Sequence, residues 1–240
     1  MSYYLNLSFL SNKPNYLQKK AEHKKRLSAE ARRILSQCEG RIITEADIAR
    51  EASGRPFLPG RDMDFCVSHS GNLAAVSLVR GKGLRTGCDA ELIRPRAKAR
   101  EIAEEFFTFP EIKYIESGGG FDLTRFYQIW TLKVCFLKLR GLSVFDISVT
   151  PSFIKDAEPE LRGPFREQFK LDSAGVSPIL FNLYELTSNA GERYILATAI
   201  EGTEEYQPEI RWFSQDFFDC KSIAKIKAAP SPAETVSPKI

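Results

Sequence analysis

The sequence predicts an α+β protein whose sheets are antiparallel. Short alternating apolar segments are separated by Gly, Pro and Asn turns, and longer stretches of helical periodicity lie between them. A similar order of these elements recurs, without sequence repetition, in the two halves of the 240-residue chain.

In chain order, residues 17–37 place Leu, Ile and Ala periodically among charges and read as a helix ending near Gly40. Thr44–Glu51 reads as a second, short helix with Thr44 as N-cap. Gly54-Arg55-Pro56-Phe57-Leu58-Pro59-Gly60 is a loop, since its prolines and glycines exclude a helix. Asp64–Ser68 alternates as a strand, His69–Asn72 turns, and Leu73–Val79 and Leu84–Glu91 continue as strands around Gly81-Lys82-Gly83. A helix over 96–107 and a Gly118-Gly119-Gly120 loop follow. An amphipathic helix over 124–140 then ends at Gly141, a residue suited to a left-handed stop. Residues 145–149, 179–186 and 194–199 read as strands, and the Pro-, Ser- and Ala-rich stretch from about Ala228 as disordered tail.

With 43% hydrophobic residues the chain has enough apolar material for a real core, and a net charge of +3 imposes no global field. Its basic residues cluster locally at 19–33 and 94–100, without the interleaved aromatics of a nucleic-acid surface, so no nucleic-acid partner is expected. No apolar run is long enough for a membrane span, and the first residues lack a secretory pattern. Five scattered cysteines without CxxC spacing fit a reduced, cytoplasmic protein without a zinc cluster. With only His23 and His69, a three-histidine metal site is excluded.

Asp89 and Glu91 are the first candidate site residues. At i, i+2 on a strand they share a face, roughly 6.5–7 Å apart at Cα, so both can turn oxygens to one Mg2+; the same pattern also fits two solvent-facing acids. Ser68-His69-Ser70-Gly71 closes a strand with donors suited to a phosphate, or with a structurally bonded histidine. Arg55 can grip phosphate with its planar fork or stand as an ordinary loop arginine. Trp130, Val134 and Lys138 share one helical stripe, on which the lysine either snorkels to water or aims into a site.

Together these segments resemble the 4'-phosphopantetheinyl transferases, specifically the longer pseudo-dimeric type that activates peptide, polyketide and fatty-acid synthases. The resemblance rests on Gly54-Arg55-Pro56, Leu58-Pro59-Gly60, Phe65-Cys66-Val67-Ser68-His69-Ser70-Gly71, Gly87-Cys88-Asp89-Ala90-Glu91, Phe106-Phe107 and Trp130-Thr131-Leu132-Lys133 with Lys138, in that order. It implies two similar halves, 1–95 and 96–212, with 213–240 as a partly disordered extension. The implied reaction moves phosphopantetheine from coenzyme A to a serine of an acyl or peptidyl carrier protein, in a monomeric, cytoplasmic enzyme of secondary metabolism. It also implies roles: Asp89 and Glu91 as Mg2+ ligands and catalytic residues, with Lys138 catalytic at the pyrophosphate. Arg55, Ser68, His69, Lys133, Lys138, Lys25 and Arg26 are implied coenzyme A contacts.

One position departs from the family pattern W-(S/T)-x-K-E-x-x-x-K. Val134 stands where a glutamate normally serves as third metal ligand and general base. Its loss removes a catalytic term of about 10²–10⁴. Three outcomes are open: a nearby acid such as Glu105, Glu111 or Glu116, or a water, substitutes; the protein binds coenzyme A or carrier without transfer; or the cleft serves other thioester chemistry. Cys88 and Cys135 flank the expected site and are candidates for a reactivity check.

Overall fold

A computed structural model describes residues 2–10, 20–154, 179–202, 209–213 and 217–226. Its strands are β1 (Ser2–Phe9), β2 (Ala49–Arg50), β3 (Pro56–Phe57), β4 (Met63–Ser70), β5 (Leu73–Arg80), β6 (Arg85–Leu92), β7 (Ile179–Ser188), β8 (Arg193–Glu201), β9 (Glu209–Trp212) and β10 (Phe217–Ile226). Its helices are α1 (Lys20–Glu39), α2 (Ala99–Phe106), α3 (Phe109–Glu116) and α4 (Leu123–Arg140). One sheet runs β4-β5-β1-β9 and the other β10-β7-β8-β6; β2 and β3 form a small ribbon. All pairings are antiparallel except β1 with β9.

Strand alternation explains the layering. On β5, Val76 and Leu78 pack with Ala31, Ile34 and Leu35 of α1, while Leu73 and Ala75 face the other sheet. On β8, Ile195, Ala197 and Ala199 pack with Ile129, Leu132 and Cys135 of α4, while Tyr194 and Leu196 face the first sheet. The order is therefore helix, sheet, sheet, helix. A side chain's parity along its strand decides which interface it enters.

The seam between the sheets positions the site. β6 is an edge strand, and its outer N–H groups are bonded by side chains of β4 instead of by another strand. Thr86 N–H donates to Asp64 Oδ2 (2.7 Å), Ala90 N–H to Ser68 Oγ (3.1 Å) and Leu92 N–H to Ser70 Oγ (3.0 Å). Between these rungs, the Cys66 and Cys88 thiols each donate to the other residue's carbonyl. The alternation of Asp64, Cys66, Ser68 and Ser70 thus protects an edge that would otherwise be open.

α4 begins with Asp122, whose carboxylate accepts from the N–H groups of Thr124 and Arg125, and ends at Gly141 with φ 70°. It crosses β6 at Gly87, where an added Cβ would lie 2.6 Å from the Cys135 carbonyl oxygen. Only glycine permits that approach.

Several expectations differ in the structure. Thr44–Glu51 is not a helix: Glu45–Asp47 makes a single 3-10 turn closed by Asp47 on Thr44, and Ala49–Arg50 then pairs as β2. Residues 145–149 are a 3-10 segment, Val144–Val149, because Ser143 and Asp146 cap it reciprocally. The start Ser2–Phe9 is a buried strand, and α3 follows the Thr108–Glu111 capping box. The strands of the two sheets interleave along the chain. β6 belongs with β7 and β8, β9 returns to the first sheet, and β10, from the expected extension, pairs with β7. Residues 17–19 and the tail from 228 lie outside the described residues.

Candidate coenzyme and metal site

A cleft of about 1160 Å³ runs along the β4–β6 seam, with α1 as one wall and α4 as the other. Ser68, His69, Asp89, Glu91, Lys138, Lys25 and Arg26 line it, together with Trp130 and Val134. Seven of the nine residues singled out by sequence therefore meet there; Arg55 and Lys133 do not.

Asp89 is the centre. Its Oδ1 accepts from Ser68 Oγ (2.9 Å) and from Lys138 Nζ (2.7 Å). Ser68 Oγ in turn accepts from Ala90 N–H and from Lys138 Nζ (2.8 Å). That uses the hydroxyl's one donor and both lone pairs, so Ser68 holds Asp89 in place rather than offering itself to a phosphate. Burial alone would make Lys138 easier to deprotonate, but the Asp89 charge outweighs it and the ammonium is held firmly protonated.

Asp89 Oδ2 is buried and has no hydrogen-bond partner. An ionised oxygen in that state is costly unless a cation meets it. Glu91, two residues on, has Oε1 accepting from Trp130 Nε1 (3.1 Å) and Oε2 from Ser70 Oγ (3.2 Å). Burial and the neighbouring Asp89 charge push its carboxyl above the usual glutamate range. Arg96 covers the Trp130 ring at 4.7 Å from its centroid and so supports the donor that orients Glu91. This donor set fits a hard cation held by two protein oxygens with phosphate and water completing its shell. Val134 faces the cleft, and among the described residues no group of three or more His, Cys, Asp or Glu converges.

His69 sits on the wall, its ring kept neutral at pH 7 because burial, with Lys138 and Lys24 nearby, lowers its basicity. Lys25 and Arg26 are exposed on the α1 wall.

Arg55 has a different task. Its guanidinium is buried and donates to Asp64 Oδ2 (2.5 Å) and to the carbonyls of Lys138, Phe65 and Thr86. It ties the Pro-rich loop to β4, β6 and the end of α4. Lys133, 1% exposed, pairs with the fully buried Glu111 at 3.0 Å and donates to Thr150 Oγ1. Glu111 also accepts from the N–H groups of Thr108 and Phe153. The pair thus staples residues 150–153 to α3 and α4. The three acids expected as substitutes for the missing glutamate are not in the cleft lining: Glu111 is in this pair, Glu116 is bonded to Arg100, and Glu105 is on the surface. Cys88 and Cys135 are fully buried, and burial pushes both thiols well up, so neither is a ready nucleophile.

Sequence reasoning did not assign the positioning roles of Asp64, Ser70, Glu111 and Arg96. The Thr108-Phe109-Pro110-Glu111 capping box was a legible signal for Glu111. The alternation of 64, 66, 68 and 70 was legible as one face, but not what that face would meet.

Residues 85–199, which hold the acidic pair and α4, match the family model of the 4'-phosphopantetheinyl transferase superfamily. Similar curated proteins are the 4'-phosphopantetheinyl transferases AcpT of Salmonella typhi, 36% identical over 106 residues, and of Escherichia coli K12, 38% identical over 96. The Synechocystis protein slr0495 is 34% identical over 95 residues. These matches cover 43%, 39% and 38% of this chain and 54%, 48% and 38% of those proteins. The chain thus spans about half the length of the AcpT relatives it matches. No helix among the described residues is long and apolar enough to cross a membrane.

Proposed function

We propose that the protein transfers the 4'-phosphopantetheine group of coenzyme A to a serine of an acyl or peptidyl carrier protein. The observation that carries this reading is Asp89. It stands in a cleft, inside the matched segment, with one oxygen on Lys138 and Ser68 and the other buried and unpartnered. In the reaction the carrier hydroxyl oxygen bonds to the β-phosphorus of coenzyme A, the bond to the bridging pyrophosphate oxygen breaks, and 3',5'-adenosine bisphosphate leaves. Positioning and charge neutralisation dominate such transfers.

Lys138 supplies a cation that Asp89 keeps protonated and aimed at the seam, beside the leaving phosphate. Lys25 and Arg26 on α1 offer positive charge to the distal phosphate, and neutral His69 offers a hydrogen bond near the same end. Asp89 and Glu91 would hold Mg2+, which when bound neutralises pyrophosphate charge. With valine at 134, the hydroxyl proton leaves to water or a phosphate oxygen instead of to a carboxylate at that position. The two layers of helix on sheet, α1 with the first and α4 with the second, support reading the chain as the pseudo-dimeric type; on that reading it acts as a cytoplasmic monomer.

Incubation with coenzyme A, Mg2+ and a panel of apo carrier proteins tests the reaction by intact mass. A phosphopantetheine gain on at least one carrier is expected. No gain on any carrier, with coenzyme A still bound, would sink it.

A further inference from the structure

Resting on the transferase reading, we propose that Leu142, Val144, Phe145 and Val149 form the surface on which the carrier protein docks. Among the described residues six large hydrophobic side chains are exposed, and these are four of them, within nine positions of the end of α4. Phe145 is 91% exposed and Val149 62%. Exposed apolar side chains gathered in one patch mark an interaction site, whereas single ones scattered over a surface do not.

The segment is held in this shape. Ser143 and Asp146 cap it, Ile147 is buried beneath it, and Thr150 Oγ1 donates to the Ile147 carbonyl at 2.7 Å. Lys133, fixed by Glu111, donates to Thr150 Oγ1 and to the Pro151 carbonyl. The apolar side chains therefore point outward from a rigid base. This explains why a lysine so close to the site is entirely buried: it anchors the platform beside the cleft.

The patch is continuous with the site. Val144 is a wall of the main cleft, and Leu142 lines a small cavity of about 250 Å³ that shares Lys138 with it. On the opposite wall Lys24, Lys25 and Arg26 are exposed. A fitting partner has an apolar contact face rimmed by carboxylates and presents a hydroxyl between them, as an acidic folded carrier domain does.

The test titrates fluorescently labelled apo acyl carrier protein into the full chain and into Phe145→Ser/Val149→Ser, both exposed positions, by anisotropy. Coenzyme A affinity is measured in parallel by calorimetry. The expected result is carrier binding weakened by at least about tenfold, as for removal of a central apolar anchor, with coenzyme A affinity unchanged. Equal carrier affinity in variant and wild type overturns the proposal, as does a wild type that binds no carrier. If the wild type self-associates with rising concentration and the variant does not, the patch serves a second copy of the chain and the proposal also fails. Failure of the transferase reading is seen separately, as absence of mass gain on a carrier that still binds.

Discussion

Lys138 Nζ on α4 and Asp89 Oδ1 on β6 lie 2.7 Å apart, and Ser68 Oγ on β4 touches both. Three elements from the two sheets and one helix thus close on a single charge pair, whose remaining oxygen, Asp89 Oδ2, is buried without a hydrogen-bond partner.

Lys138→Met is expected to lower the transfer rate by about 10²–10³, the usual effect of removing one preorganised donor to a developing charge. Single-turnover transfer to an apo carrier measures it. A rate within threefold of wild type, with an unaltered circular dichroism spectrum, would remove Lys138 from the chemistry.

Val134→Glu places a carboxylate on the cleft wall one turn before Lys138. If the proton otherwise leaves to water, the rate rises by up to about 10²–10⁴, the range of general-base catalysis, and less Mg2+ saturates the enzyme. An unchanged or lower rate would mean that the site is built around valine.

Gly87→Ala forces a methyl to within 2.6 Å of the Cys135 carbonyl, backbone that cannot swing aside. Overpacking of this kind costs about 1–3 kcal/mol and here also separates Asp89 from Lys138. Denaturant unfolding should show the loss, and transfer should fall further than stability explains. Gly120→Ala, which meets nothing within 4 Å, is the neutral control.

Arg55→Met leaves Asp64 buried beside β6 without its cation, a loss of about 3–5 kcal/mol. Coenzyme A affinity, measured well below the melting temperature, should change little. A large affinity loss in a variant of wild-type stability would instead place Arg55 on the ligand.

Glu91 carries a pH signature. Its folded carboxyl is raised by burial and by Asp89, so its contribution to stability is complete below the unfolded value of about 4.3 and is lost as pH rises through the raised folded value. In chelator, Glu91→Gln should therefore melt above wild type at neutral pH, with the difference vanishing in acid. Added Mg2+ should stabilise wild type more than the variant. A variant that melts below wild type at pH 7 in chelator would contradict this.

Much of the site was legible as residue types at fixed spacings. Asp89 and Glu91 at i, i+2 necessarily share a strand face, and Trp130, Val134 and Lys138 at four-residue steps necessarily share a helix stripe. Gly141 and Asp122 are local signals for the ends of α4 and need no partner to be read.

What each face would meet depended on non-local packing. Arg55 and Lys133 have the composition of phosphate ligands, but the first is enclosed by Asp64 and three carbonyls and the second by Glu111. Ser68 is bonded on all sides because β6 is an edge strand that needs acceptors. Residues 145–149 became a 3-10 segment because Ser143 and Asp146 cap it, and β10 joined β7 across 28 intervening positions. Strand and helix periodicity is a property of neighbours along the chain, and the sequence by itself determined it. Which cation pairs with which anion was decided by the tertiary structure, because that depends on the seam where two sheets and α4 come together.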